Sequence, residues 1–248
     1  MAQRWNDLLF AHWPVAVEQI ASLLPPGLAV DSFDGYAWVG VVPFWMDQVR
    51  TRTIGESTIV VPSTGQFCEL NLRTYVRSNA TGLAGVYFFS LDAASALAVF
   101  GARTIFHLPY FLASMKRQIG SDGVIEYESK RLLTRRSVRF KARYRGLAKV
   151  AAPSVAGSLE HFLTERYCLF TTHRGRVLVG DIHHLPWPLE RAEAEIELNE
   201  LPAAHGITLP DRGPVLHFAR ELHVYIWSLR KDEAANSYNA NAVPYGGS

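Results

Sequence analysis

Glu69 is a carboxylate set among apolar neighbours, in the run Gln66-Phe67-Cys68-Glu69-Leu70-Asn71-Leu72. Ionised in such a strand it needs a partner or a raised pKa, and a carboxyl with a raised pKa can move protons near neutral pH. The plainer reading is a glutamate that faces water or pairs with Arg73, and the sequence leaves both open. His107 titrates in a useful range and can serve as acid or base, or it is an ordinary hydrogen-bonded histidine. His183 and His184, close to Asp181, invite a metal reading, but neighbours in a strand point to opposite faces and cannot readily share one ion. Cys68 and Cys168 lie far apart in apolar segments and read as buried thiols, not as a disulfide or a zinc site. No metal and no cofactor is expected, since the chain has no glycine-rich phosphate loop, no Gly-x-Ser-x-Gly turn and no dinucleotide fingerprint.

The run Ala102-Arg103-Thr104-Ile105-Phe106-His107-Leu108-Pro109-Tyr110-Phe111-Leu112-Ala113 resembles the active-site segment of the acetoacetate decarboxylases. That segment reads, in outline, small-Arg-Glu-Ile-aromatic-Gly-aromatic-Pro-Lys-Lys-Leu-Ala. The Glu69 run resembles the strand that supplies a carboxylate to the same site, and residues 85–92 resemble the strand leading into the following short helix. With residues 33–40 and the His184-Leu185-Pro186-Trp187-Pro188-Leu189 run, these pieces are similar to the DUF2071 (YqjF-like) family of uncharacterised bacterial proteins, which the resemblance assigns to the acetoacetate decarboxylase-like fold. In the decarboxylases the first lysine after the proline forms an imine with a keto acid. Here Tyr110 and Phe111 stand in the lysine positions, so the resemblance implies the fold without Schiff-base decarboxylation. The candidate catalytic residues are Glu69, His107 and Tyr110 and the candidate substrate-binding residues Arg103 and Phe67; Glu69 and Arg103 match the family's glutamate and arginine, whereas His107 stands where the related enzymes have glycine. Tyr110 can donate to a bound carbonyl or merely fill the volume of the lysine. Arg103 can fork onto a substrate carboxylate or bind carbonyls at a helix end. Lys116 shares strand parity with Tyr110, which leaves a relocated imine as a weaker reading.

The elements that must position these residues are mostly strands. Apolar runs around residues 36–44, 57–61, 67–77 and 85–91 are separated by turn formers such as Asp34-Gly35 and residues 79–82, which favours antiparallel hairpins. Pro14, Val17, Ile20, Leu23 and Leu24 read as a helix that begins at the proline and stops at Pro25-Pro26. Asp92 reads as the N-cap of a short helix from Ala93 to about Phe100, and Ser158 as the cap of another reaching Arg166. Residues 108–119 fit either a helical stripe or, by the resemblance, a strand entering a hairpin, and the strand is favoured. Further strands are expected over 167–172, 177–181, 192–198 and 215–227. The fold class is α+β, predominantly antiparallel β, closed or nearly closed into a barrel or cone with a few short peripheral helices, and able to hold a cavity.

Arg139, Lys141, Arg143 and Arg145 alternate with apolar residues, as Glu193, Glu195 and Glu197 do later, so the two charged faces would cancel if the strands are neighbours. That pairing and a net charge of +2 argue against a nucleic-acid partner. No apolar run is long enough to span a bilayer and no leader precedes the first element, so a cytoplasmic protein without a membrane partner is expected. With 48% hydrophobic residues the chain can bury one sizeable core, expected as a single domain over 1–235 with a flexible tail over 236–248. The functional expectation is an enzyme on, or a binder of, a small oxygenated or carboxylate compound, with a homo-oligomer possible. The alternative is a non-catalytic interaction protein that uses the basic strand and the aromatic-proline segments.

Overall fold

The computed structural model describes residues 1–52, 58–60, 65–150 and 154–233, and the tail expected over 236–248 lies outside the described residues. The chain opens with β1 (Ala2–Val15), the short helix α1 (Val17–Ala21), β2 (Leu28–Val30) and the long β3 (Ala37–Arg52). There follow β4 (Thr58–Val60), β5 (Gln66–Ser78), β6 (Ala84–Ala93), α2 (Ala96–Ile105) and β7 (Tyr110–Ile119). Then come β8 (Ile125–Arg131), β9 (Arg139–Val150), α3 (Leu159–Thr164), β10 (Cys168–His173) and β11 (Arg176–His183). The last described elements are β12 (Glu190–Asn199), α4 (Leu201–Ala204), β13 (Val215–Ile226) and β14 (Arg230–Lys231).

Nine strands close on themselves in the order β6-β7-β8-β9-β12-β13-β1-β3-β5 and back to β6. The barrel is mixed because β6 and β7 run parallel, with α2 as the crossover that a parallel pair requires. A second ring grows from it: β10 pairs in parallel with β6, and β11 pairs with both β10 and β13. The approach of β10 to β6 is close, since a Cβ on Gly85 would lie 2.6 Å from the carbonyl oxygen of Cys168. One outer edge of β6 is therefore divided, with Val86 and Tyr87 bonded to β10 and residues 91–93 bonded to β7.

Of the strands common to both rings, β1, β3 and β5 bury both of their faces over most of their length. From β1, Leu9, Ala11 and Trp13 join Tyr127 of β8 and Phe140 and Tyr144 of β9 in one core. Leu8 and Phe10 point the other way, into a core with Phe88 of β6, Leu169 of β10 and Ile182 of β11. The helix expected between Pro14 and Pro25 is present but shorter, as α1 over Val17–Ala21, and Pro14 instead belongs to the doubly buried end of β1. An apolar run buried on both faces has no alternation to mark it as a strand. Pro14 is tolerated in β1 because pairing with β13 stops at His12, so its missing N–H is not needed there. The helix expected after Asp92 is also displaced. Ser95 caps α2, accepting from the Ala98 N–H at 3.2 Å, while Asp92 stays in β6 as a buried ion-pair partner.

Other expectations agree with the structure. Residues 110–119 form a strand, Ser158 caps α3, and β9 lies beside β12. Glu193 is opposite Arg145 and bridges to it, Glu195 is opposite Arg143, and Lys141 reaches Glu197 at 2.6 Å. The basic face is thereby matched by acids, in solvent-screened rim pairs that add little to stability.

Candidate functional site

Alternation along β5 puts Leu70 and Leu72 into the core with Tyr127 and sends Glu69, Asn71, Arg73 and Tyr75 to the opposite interior. Glu69 is only 3% exposed. Its Oε2 accepts a hydrogen bond from the Tyr110 hydroxyl at 3.0 Å, and the Asn71 side chain donates to the same carboxylate. Burial pushes the Glu69 carboxyl up to about 7, the two hydrogen bonds pull it down, and the charge of nearby Asp92 adds to the rise. A carboxyl so poised exchanges protons at neutral pH. Burial, reinforced by the Glu69 charge, drives the Tyr110 phenol well above its usual range, so its hydroxyl acts as a donor.

The second residue after Pro109 has a different task. Phe111 lies under the Arg131 guanidinium, 4.1 Å from ring centre to Cζ. Arg131 Nε donates to both Asp92 oxygens at 2.8 and 2.9 Å, and its terminal nitrogen donates to Ser90 Oγ at 2.5 Å. Burial lifts the Asp92 carboxyl and Arg131 draws it back. The ion pair and the cation–π contact tie β6, β7 and β8 together just behind Glu69.

A cavity of about 50 Å³ opens onto Glu69 where β6 changes partner from β10 to β7. Trp5, Phe88, Phe106, Leu108 and Leu169 make its apolar walls. Gln3, Asn71 and Tyr110 add polar groups beside Glu69. Gln3 Oε1 is already occupied, accepting from Trp5 Nε1 at 2.6 Å. At the far end of the β5 row, Arg73 donates to the Leu163 carbonyl at 3.0 Å, and the Tyr75 hydroxyl lies 2.7 Å from His12 Nε2. The simple alternative for Glu69, an ion pair with Arg73, is not formed.

Of the residues anticipated for the site, Glu69 and Tyr110 meet in the cavity and the other three do not line it. Arg103 is exposed in the last turn of α2, where a cation suits the helix dipole. His107 adopts a left-handed φ of 48°, stacks its ring on His173 with centroids 3.8 Å apart, and accepts from Thr171 Oγ1 through its carbonyl at 2.7 Å. Its neighbour Leu108 reaches the cavity instead. Phe67 is half-buried and packs against the core around the cavity. Lys116 is exposed, as are Ser114 and Gln118 on the same face, because the second ring covers β7 only at its start. His183 is exposed and His184 buried, on opposite sides of the chain. Asn71 and Gln3 were not anticipated. The sequence signal for Asn71 is the alternation of Glu69, Asn71 and Arg73 with leucines, and nothing in the sequence marks Gln3.

The model of the DUF2071 family, described as an uncharacterized conserved protein (COG2071), matches residues 2–223. The chain belongs to the DUF2071 family. Within reach of this family by sequence is the uncharacterized protein YqjF of Bacillus subtilis (strain 168), 48% identical over 233 residues, which cover 93% of this chain and 92% of that one. The DUF2071 chain also resembles solved structures at low identity. The enduracididine biosynthesis enzyme MppR, complexed with the condensation product of pyruvate and imidazole 4-carboxaldehyde, superposes with a TM-score of 0.60 at 13% identity, covering 93% of this chain and 88% of that one. An acetoacetate decarboxylase-like enzyme from Sphingomonas wittichii RW1 gives 0.58 at 13% identity over 94% and 93% of the two chains. Acetoacetate decarboxylase from Legionella pneumophila gives 0.56 at 13% identity over 94% and 88%. The DUF2071 barrel thus has the acetoacetate decarboxylase-like fold, with Tyr110 and Phe111 where the sequence resemblance places lysines.

Proposed function

We propose that this protein binds a small oxygenated compound in the cavity at the β6 divide and that Glu69 moves a proton on it without imine formation. The observation that carries this reading is the Tyr110–Glu69 hydrogen bond of 3.0 Å inside the cavity, at the position where the resemblance would put the imine-forming lysine. A tyrosine hydroxyl cannot condense with a carbonyl, and Lys116 is on the exposed face of β7. What the pair can do is hold a bound carbonyl or hydroxyl by hydrogen bonds while Glu69 gives or takes a proton. Docking through the basic strand is the weaker reading, because β12 and β8 supply acids opposite its arginines.

The test is α-proton exchange of small ketones and hydroxyketones in deuterium oxide, followed by NMR, alongside borohydride trapping with pyruvate and acetoacetate. Exchange accelerated by the wild type and reduced at least tenfold by Glu69→Gln is expected, with no reduced adduct on any lysine. A trapped lysine adduct would overturn the absence of imine chemistry.

A further inference from the structure

The polar groups of the cavity have an unbalanced inventory. Asn71 is 6% exposed and spends its donor on Glu69, yet its Oδ1 has no partner. A buried carbonyl oxygen without a donor bears its desolvation cost uncompensated, and a ligand that supplies an O–H recovers that cost. Glu69 adds further acceptor capacity, and Tyr110 directs its own proton to Glu69. Among the described residues, no lysine, arginine or histidine side chain lines the cavity.

The one cationic group among the described lining residues, the Met1 ammonium, donates to the Ile226 carbonyl at 2.7 Å, so a carboxylate placed beside Glu69 and the Asn71 oxygen would meet no side-chain cation, in walls of Trp5, Phe88 and Phe106. Burying an anion without a side-chain partner in such a setting is strongly unfavourable. A cationic amine would require Glu69 to ionise and an ion pair to form in the same apolar walls, which also carries a desolvation cost. An uncharged compound avoids both. A hydroxyl can donate to Asn71 Oδ1 while a neighbouring carbonyl accepts from the protonated Glu69 carboxyl. The volume of about 50 Å³ restricts the compound to a few carbon atoms.

We infer that the cavity selects a small uncharged hydroxycarbonyl compound, its hydroxyl on Asn71 Oδ1 and its carbonyl on Glu69, over a keto acid of the same size. This rests on the reading of the cavity as a ligand site and names the class of ligand.

Four probes of similar size separate the terms: hydroxyacetone, pyruvate, 2-butanone and aminoacetone, which place CH2OH, COO⁻, CH2CH3 and CH2NH3⁺ on one acetyl group. Binding to the full chain is measured by calorimetry and ligand-observed NMR at pH 6, where the Glu69 carboxyl, titrating at about 7, is mostly protonated. Hydroxyacetone is expected to bind at least tenfold more tightly than each of the other three, tenfold being about 1.4 kcal/mol. Asn71→Leu should abolish the preference for hydroxyacetone over 2-butanone while leaving 2-butanone bound. Should that variant not fold, the wild-type ranking alone decides. Pyruvate binding as tightly as hydroxyacetone, or aminoacetone binding more tightly, overturns the ligand class and leaves the cavity reading standing. Failure of all four probes to bind overturns the cavity reading as well.

Discussion

Leu70 and Leu72 on one face of β5 vanish into a packed interior with Tyr127, Phe140 and Tyr144, whereas Glu69 and Asn71 on the other face meet open space. In the packed interior the tyrosine hydroxyls are used structurally. Tyr127 reaches the carbonyls of Glu69 and Phe44 at 2.7 and 3.0 Å, and Tyr144 donates to the Asp7 carbonyl at 3.1 Å. On the open side a tyrosine hydroxyl is bound to an ionisable carboxyl, and an amide oxygen is left over. One strand thus serves as scaffold through its odd-looking leucines and as a candidate site through the residues between them. The lesson is that a closed barrel need not hold its site in its own interior; here a second, smaller ring encloses it.

The sharpest way to break this contrast is paired truncation. Phe140→Ala in the packed interior should cost about 3–5 kcal/mol, and Phe106→Ala at the cavity wall about half of that, because Phe106 already borders empty volume. Urea unfolding midpoints measure both, and equal costs would erase the distinction between the interiors. Next in size is the pH dependence of stability. Glu69 titrates at about 7 when folded against a model value of 4.5, so between those values the folded chain keeps a proton that the unfolded chain has lost. Stability should therefore be full below about pH 4.5, fall by on the order of 3 kcal/mol as pH rises through 7, and level off above it. Glu69→Gln should flatten that part of the profile. A wild-type profile with no fall in this window would contradict the buried, shifted carboxyl.

Tyr110→Phe is a finer probe of the same side. It removes a hydrogen bond that favours the ionised carboxylate, at a cost of about 1 kcal/mol at pH 8, and moves the Glu69 transition to higher pH. NMR titration of a carboxyl-labelled glutamate follows it directly, and a shift to lower pH would contradict the assigned bond. The smallest effect belongs to the outer ladder. Arg145→Ala should change stability by less than about 1 kcal/mol despite its bridge to Glu193. A larger loss in thermal melts would give the charged face a structural weight equal to that of the interiors.

Much of this arrangement is legible in the sequence where a strand has one wet face. β8 alternates buried and exposed residues throughout, and the arginines of β9 announce the glutamates of β12 through shared periodicity. β1 is illegible for the opposite reason: from Leu8 onward its residues are buried on both faces, so no period separates helix from strand. Glu69 and Tyr110 could be found because a motif resemblance placed them near one another. Arg103 and His107 belonged to the same motif, but the direction of a side chain from α2 or from the turn after it depends on packing that spacing does not encode. Asp92 reads as a cap from sequence because a capping carboxylate and a buried ion-pair partner look alike until Arg131, far along the chain, is brought to it.

The divided edge of β6 bears on the order in which the chain assembles. Its pairing with β5 closes across a tight hairpin and its pairing with β7 across one helix, whereas contact with β10 joins residues as distant as Val86 and Leu169. Closure entropy grows with that distance, and non-local pairing is slow to form. In pulse-labelled refolding, amide protons in the β5–β6 hairpin should gain protection before those of Leu169 and Phe170. The cavity would then be the last part of the protein to exist, enclosed only when β10 arrives.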